Sequence, residues 1–182
     1  MPMTLYPPLV LRKAVALLLP GLLACASAHA VERHELEAAI VFNFLQFVDW
    51  PAEAAPAPGG DLVLCMAPAS RLSAPLRLLA GRRVRSHRFE LRELAPDEPA
   101  RGCHAVFVDA DARVPGPALR RQLRSLPVLL IGDDQLPAAE AVTIRLGESD
   151  GRIAFDVDLA AARRSGLQIS SRLLRLARKV SE

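Results

Sequence analysis

The chain has 182 residues, 51% of them hydrophobic, with 23 Lys or Arg against 20 Asp or Glu. That length and apolar content suit one domain with a sizeable core. Setting aside residues 1–30 removes Arg12 and Lys13 and no acid, leaving 21 bases against 20 acids, and such near-neutrality argues against a dedicated nucleic-acid binder.

The first thirty residues read as a secretory signal peptide: Arg12-Lys13, then the apolar run Ala14 to Ala24, then small residues ending in Ala28-His29-Ala30. Cleavage after Ala30 would start the mature chain at Val31, and residues 31–182 are expected to form a single exported domain. Leu22-Leu23-Ala24-Cys25 also resembles a lipobox, in which Cys25 would carry lipid. Leu23 fits that pattern poorly, so an unanchored product is expected. Either way Cys65 and Cys103 remain, an even number in an oxidising compartment, and they are expected to pair. Cys65 falls late in one strand and Cys103 early in another, so parallel neighbours need a register offset to bring them within reach. A zinc site from Cys65, Cys103 and His104 lacks a fourth ligand and any C-x-x-C spacing.

In chain order, the pattern from Glu32 to Trp50 predicts a helix stopped by Pro51. Leu36, Ile40, Phe44, Phe47 and Val48 fall on one arc, which Val41 and Leu45 widen. Asn43 falls inside that arc and needs hydrogen-bond partners from a neighbouring loop. "DLVLCM" (61–66) is a short apolar strand. "SRLSAPLRLLAG" (70–81) reads as a helix with Pro75 near its start and Gly81 at its close. "RFELREL" (88–94) alternates as a half-exposed strand does, while "HAVFVDA" (104–110) and "PVLLIGD" (127–133) are runs typical of strands buried on both faces. "GPALRRQLRSL" (116–126) between them is an amphipathic helix. "AVTIRL" (141–146) and "RIAFDVD" (152–158) flank "GESDG" and predict an antiparallel hairpin on the sheet edge. Asp158 caps a helical segment from Leu159 that Gly166 interrupts, and "SSRLLRLARKV" predicts a last helix over 170–180. This order gives an α/β fold, a three-layer sandwich with a largely parallel central sheet, an antiparallel edge hairpin and flanking helices.

Asp109, Asp111, Asp133 and Asp134 sit at predicted strand ends, where ligands of open α/β sheets bind. No lysine or acid completes a receiver-like or magnesium site, so they read as solvated loop acids. Arg172, Arg175 and Lys179 form an i, i+3, i+7 stripe on the predicted last helix, with Ile169, Leu173, Leu176 and Val180 facing the sheet. There is no G-x-S-x-G, H-E-x-x-H, S-x-x-K or glycine-rich phosphate loop. No catalytic residue, metal site or cofactor is expected.

"AAIVFNFLQFVDWP", "LVLCM", "LLAGRRV", "CHAVFV", "VLLIGD" and "GRIAFDVDLAAARRSGLQISSRLLRLARKV" together resemble, in order, the YfiR/HmsC-like periplasmic proteins. Asp158 stands where that family usually has Asn, Gln46 where it has a basic residue, and Arg172 where Lys is common. The resemblance implies a non-enzymatic negative regulator that binds the periplasmic domain of a membrane diguanylate cyclase and controls cyclic di-GMP and biofilm formation. It also implies an OmpA-like outer-membrane lipoprotein as second partner and Cys65 with Cys103 as a reporter of redox state; a homodimer is a further expectation, which the resemblance does not itself supply. Trp50, Arg172, Arg175 and Lys179 are the expected partner contacts. The alternative from a different class is a periplasmic module binding a small ligand near Asp109 and Asp133.

Overall fold

The computed structural model describes residues 21–95, 98–110, 121, 123, 126–138 and 140–182. The chain divides into two units, Met1–Arg33 and His34–Glu182. In the first, the backbone of residues 21–33 is helical. The expected helix over 116–126 and Asp111 lie outside the described residues, apart from Arg121, Leu123 and Leu126.

Helix α1 (Gly21–Phe44) passes into a 3-10 turn, Leu45–Phe47, and a two-residue strand β1 (Val48–Asp49). Ala38, Val41, Phe42 and Leu45 are buried at i, i+3, i+4 and i+7, the repeat of a helix with one face in a core. That face is rotated from the expected arc: Leu36 is 55% exposed, and Asn43 is exposed, accepting its hydrogen bond from Gln46 Nε2 at 2.9 Å. The helix does not reach Trp50. Residues preceding a proline favour extended backbone, and β1 gains an antiparallel partner, β9 (Gln168–Ile169), in the register Val48 to Ile169.

The main sheet has eight strands: β2 (Asp61–Met66), β3 (Arg83–Val84), β4 (His87–Glu93), β5 (Ala105–Val108), β6 (Leu129–Asp133), β7 (Ile144–Ser149), β8 (Arg152–Asp158) and β10 (Lys179–Ser181). Their spatial order is β10-β8-β7-β6-β5-β2-β4-β3. The run β4, β2, β5, β6, β7 is parallel, and β3–β4 and β7–β8 are antiparallel hairpins. The architecture is thus a mixed, mostly parallel α/β sandwich, as the order of apolar runs implies. Period-2 alternation separates its two faces. Leu62, Leu64, Met66, Phe107 and Ile131 join α1 in one core, while Cys65, Val106, Val108, Leu130 and Leu123 build the other.

Three further elements depart from the sequence expectation. The helix over 70–81 shrinks to α2 (Ser73–Arg77), because Ser70 and Arg71 are drawn into hydrogen bonds with Asp109. The hairpin β7–β8 is not the edge, since β10 adds to β8 in parallel. The last helix is only α4 (Ser171–Leu174), N-capped by the Ser170 hydroxyl. Beyond it Arg178 N–H donates to the Phe155 carbonyl at 2.8 Å and the chain becomes β10. Edge pairing with β8 outweighs a modest helix propensity. Leu173 is buried as expected, but Leu176 is 69% exposed and Val180 is also exposed, so neither docks on the sheet.

The segment between β8 and β9 follows the local signals closely. Asp158 Oδ1 accepts from Ala161 N–H at 2.8 Å and caps α3 (Leu159–Arg164), a role that Asp and Asn fill equally well. At its end Gly166, with φ +67°, closes the helix. Its N–H donates to the Arg163 carbonyl and Leu167 N–H to the Ala162 carbonyl, the two bonds of a Schellman motif. Ring packing joins α1 to the sheet, with Phe44 and Phe155 centroids 4.8 Å apart. Phe44→Ala should therefore lower stability by about 3 kcal/mol or more, as buried Phe truncations do. Urea denaturation checks this.

Candidate functional site

Because β2 pairs β4 on one side and β5 on the other, the chain reverses its direction of winding at β2–β5, and ligands of such sheets bind beyond the carboxyl ends of strands at that point. Here the place is filled from within. Arg71, just past β2, reaches carboxylates from three other elements. Its Nη1 donates to Asp133 Oδ2 at 2.8 Å and lies 3.4 Å from Asp109 Oδ2. Its Nε and Nη2 donate to Glu37 Oε2 at 3.3 and 3.2 Å. Ser70 Oγ donates to Asp109 Oδ2 at 3.1 Å. Asp133 also accepts the N–H groups of Ala110, Gln135 and Leu136.

Glu37, Asp109 and Asp133 are all buried. Burial works to lower the pKa of the Arg71 guanidinium, but the Asp133 hydrogen bond and attraction from Glu37, Asp109 and Asp133 outweigh it, so the pKa lies above its ordinary value. The expectation of solvated loop acids fails for Asp109 and Asp133, which are structural partners of Arg71. Sequence reading missed Arg71 and Glu37 as members of this cluster. The signal available was Arg71's place in the short segment that follows β2.

A second junction forms at His104. Its N–H donates to the Val63 carbonyl at 2.9 Å, and its Nδ1 accepts Val63 N–H at 3.0 Å. A side chain thereby extends the β2–β5 ladder by one step. The His104 carbonyl accepts Leu129 N–H at 3.0 Å and Trp50 Nε1–H at 2.8 Å. Trp50 is consequently half-buried, its ring edge-on to His104. Beside it, Trp50, Leu45, Val48, Leu62, Arg85 and His87 line a cavity of about 170 Å³. Arg85 ion-pairs with Asp49 and donates from Nε to the Gln46 carbonyl at 2.8 Å.

Cys65 and Cys103 are bridged, with Cα atoms 5.8 Å apart. The expected offset is present: Cys65 lies opposite Val106, and a turn at Arg101–Gly102, where Gly102 has φ +71°, brings Cys103 back toward it. Of the expected contact residues, Arg172 and Arg175 are exposed on and just after α4, while Lys179 is exposed on β10. They do not share a helix face. The β1–β9 pairing holds the Trp50 segment beside the strand that leads into α4.

A profile of the YfiR/HmsC-like proteins matches residues 34–178, nearly all of the second unit. The chain belongs to the YfiR/HmsC-like family. Members of this family are periplasmic regulators of cyclic di-GMP signalling rather than enzymes. A search of curated proteins finds no match. Among the described residues no helix is long and apolar enough to cross a membrane, and no group of three or more His, Cys, Asp or Glu side chains is placed to hold a metal.

The His104 junction sets a pH dependence. Burial, and then the charge of His87, lower the His104 pKa. The unfolded imidazole titrates near about 6.5, so below that pH the unfolded chain binds the extra proton first. Stability present above this value is lost as pH falls through the lower folded value. His104→Asn keeps an acceptor for Val63 N–H without the titration. Between about pH 7.5 and about pH 5.5 the native chain should lose more urea stability than this variant, as denaturation curves at both pH values would show.

Proposed function

We propose that this chain is a periplasmic repressor, exported with cleavage after Ala30, that binds the periplasmic domain of an inner-membrane diguanylate cyclase and stabilises its inactive state. An OmpA-like outer-membrane lipoprotein competes for the repressor and releases the cyclase. The observation that carries this reading is the family match over residues 34–178. The engagement of Asp109 and Asp133 by Arg71 favours it over a small-ligand module at the strand ends, since those carboxylates already have a cation and N–H donors.

A regulator of this kind acts by differential affinity: it shifts the cyclase only so far as it prefers the inactive state. A hundredfold shift needs about 2.7 kcal/mol of preference, within reach of a few aromatic, aliphatic and Arg anchors. The segment from α4 through β10 offers such anchors. Arg172, Arg175 and Lys179 are exposed, and so are Leu176 and Val180. Apolar exposure among cations suits a partner surface with an acidic rim. Trp50, which is half-buried, is the further contact.

Arg172→Glu with Arg175→Glu should leave circular dichroism and Trp50 fluorescence unchanged. It should weaken capture of the cyclase periplasmic domain by at least about tenfold and raise cyclic di-GMP in cells. Unchanged capture and full repression by the folded variant would place the contact elsewhere.

A further inference from the structure

The bridge between Cys65 and Cys103 is chemically unsymmetrical. Cys65 has no exposed surface and packs in the cluster of Leu94, Val106 and Ala67, whereas Cys103 is 6% exposed. Arg92, on β4, stands in register with Cys65 on the neighbouring strand and so projects to the same face of the sheet. Its Nη2 donates to the Arg101 carbonyl at 2.6 Å and lies 3.0 Å from Cys103 Sγ. Its Nε is buried without a hydrogen-bond partner, and among the described residues no carboxylate pairs with it.

A disulfide sulfur is a weak acceptor, so a guanidinium placed on it gains little while the bridge is closed. A thiolate at the same place would receive a charge-assisted hydrogen bond and the attraction of a cation that no acid among the described residues neutralises. At Cys65 the opposite holds, because apolar burial disfavours the thiolate.

We propose that Arg92 makes Cys103 the thiolate of this pair and thereby fixes the direction in which the bridge opens. A small-molecule thiolate attacks Cys65 Sγ, the S–S bond breaks, and its electron pair leaves on Cys103 Sγ beneath the guanidinium. A second thiolate attacks the sulfur that was added, forming the small-molecule disulfide. Cys65 departs with the bonding pair and takes a proton from water. The protein gains two electrons and two small thiols are oxidised. Since Cys65 is fully buried, the first attack waits on an opening of the turn before Cys103. Arg92 also favours the reduced form, so removing it should shift the equilibrium with a glutathione couple toward the bridge. None of this depends on the identity of the protein's partner.

The test uses the exported chain with Cys65→Ser, following the ultraviolet absorbance of the Cys103 thiolate against pH, native and in concentrated denaturant. The native midpoint should lie at least about one pH unit below the denatured one. Arg92→Gln should erase that difference, and Arg92→Lys should restore part of it. In the unsubstituted protein, alkylation trapping during reduction by glutathione should place the mixed disulfide on Cys65. This measurement needs no variant to fold. A native Cys103 midpoint at or above the denatured one, or an adduct mainly on Cys103, would overturn the proposal.

Discussion

A single guanidinium holds the carboxyl ends of this sheet together. Arg71 bonds Glu37 from the first helix and Asp133 from the end of β6, and it pairs with Asp109 from the end of β5. Buried carboxylates are tolerable only when paired and hydrogen-bonded, so these acids fix where Arg71 must be, and Arg71 fixes where the acids can be. Several features follow. The chain after β2 cannot enter a helix until Ser73, because Ser70 and Arg71 are turned toward Asp109. The first helix is held over one face of the sheet by a polar contact as well as by Phe42 and Phe44. At the switch point, Asp109 and Asp133 are engaged by Arg71, Ser70 and backbone N–H groups.

That engagement bears on function. In an open α/β sheet, the strand ends at the switch point are the usual place for a small molecule. Here the chemistry of that place is used to hold the protein together. The recognition surface proposed above lies instead on the exterior, in the segment from Arg172 to Val180, where exposed cations and aliphatic side chains occur together. A YfiR/HmsC-like regulator that works through a protein surface requires a rigid body to present that surface, and the buried cluster supplies rigidity at the opposite economy of groups from an enzyme's cleft.

Local pattern was legible and non-local pairing was not. The strands at 61–66, 129–133 and 152–158 follow from short apolar runs, that at 129–133 buried throughout, and the Asp158 cap and Gly166 stop are signals contained within a few residues. The last helix was misread because Lys179–Ser181 obeys β8, more than twenty residues earlier, and nothing in the local pattern carries that preference. The face of the first helix was rotated because Leu36 is apolar yet exposed, so counting apolar residues placed the arc off its true centre at Val41 and Leu45. Cysteine number gave the bridge, while its reach depended on a register and a turn seen only in three dimensions. The Arg71 cluster spans separations of 34, 38 and 62 residues, which no spacing rule reports.

The claim that these acids are structural rests on the coupling between Arg71 and Asp133. A double-mutant cycle with Arg71→Met and Asp133→Asn, read as unfolding free energy in urea at neutral pH, measures that coupling directly. The account predicts an interaction of roughly 1.5 kcal/mol or more, in the range of buried groups within one network. Effects that add to within about 0.5 kcal/mol would contradict it, and would revive the small-ligand reading of these strand ends.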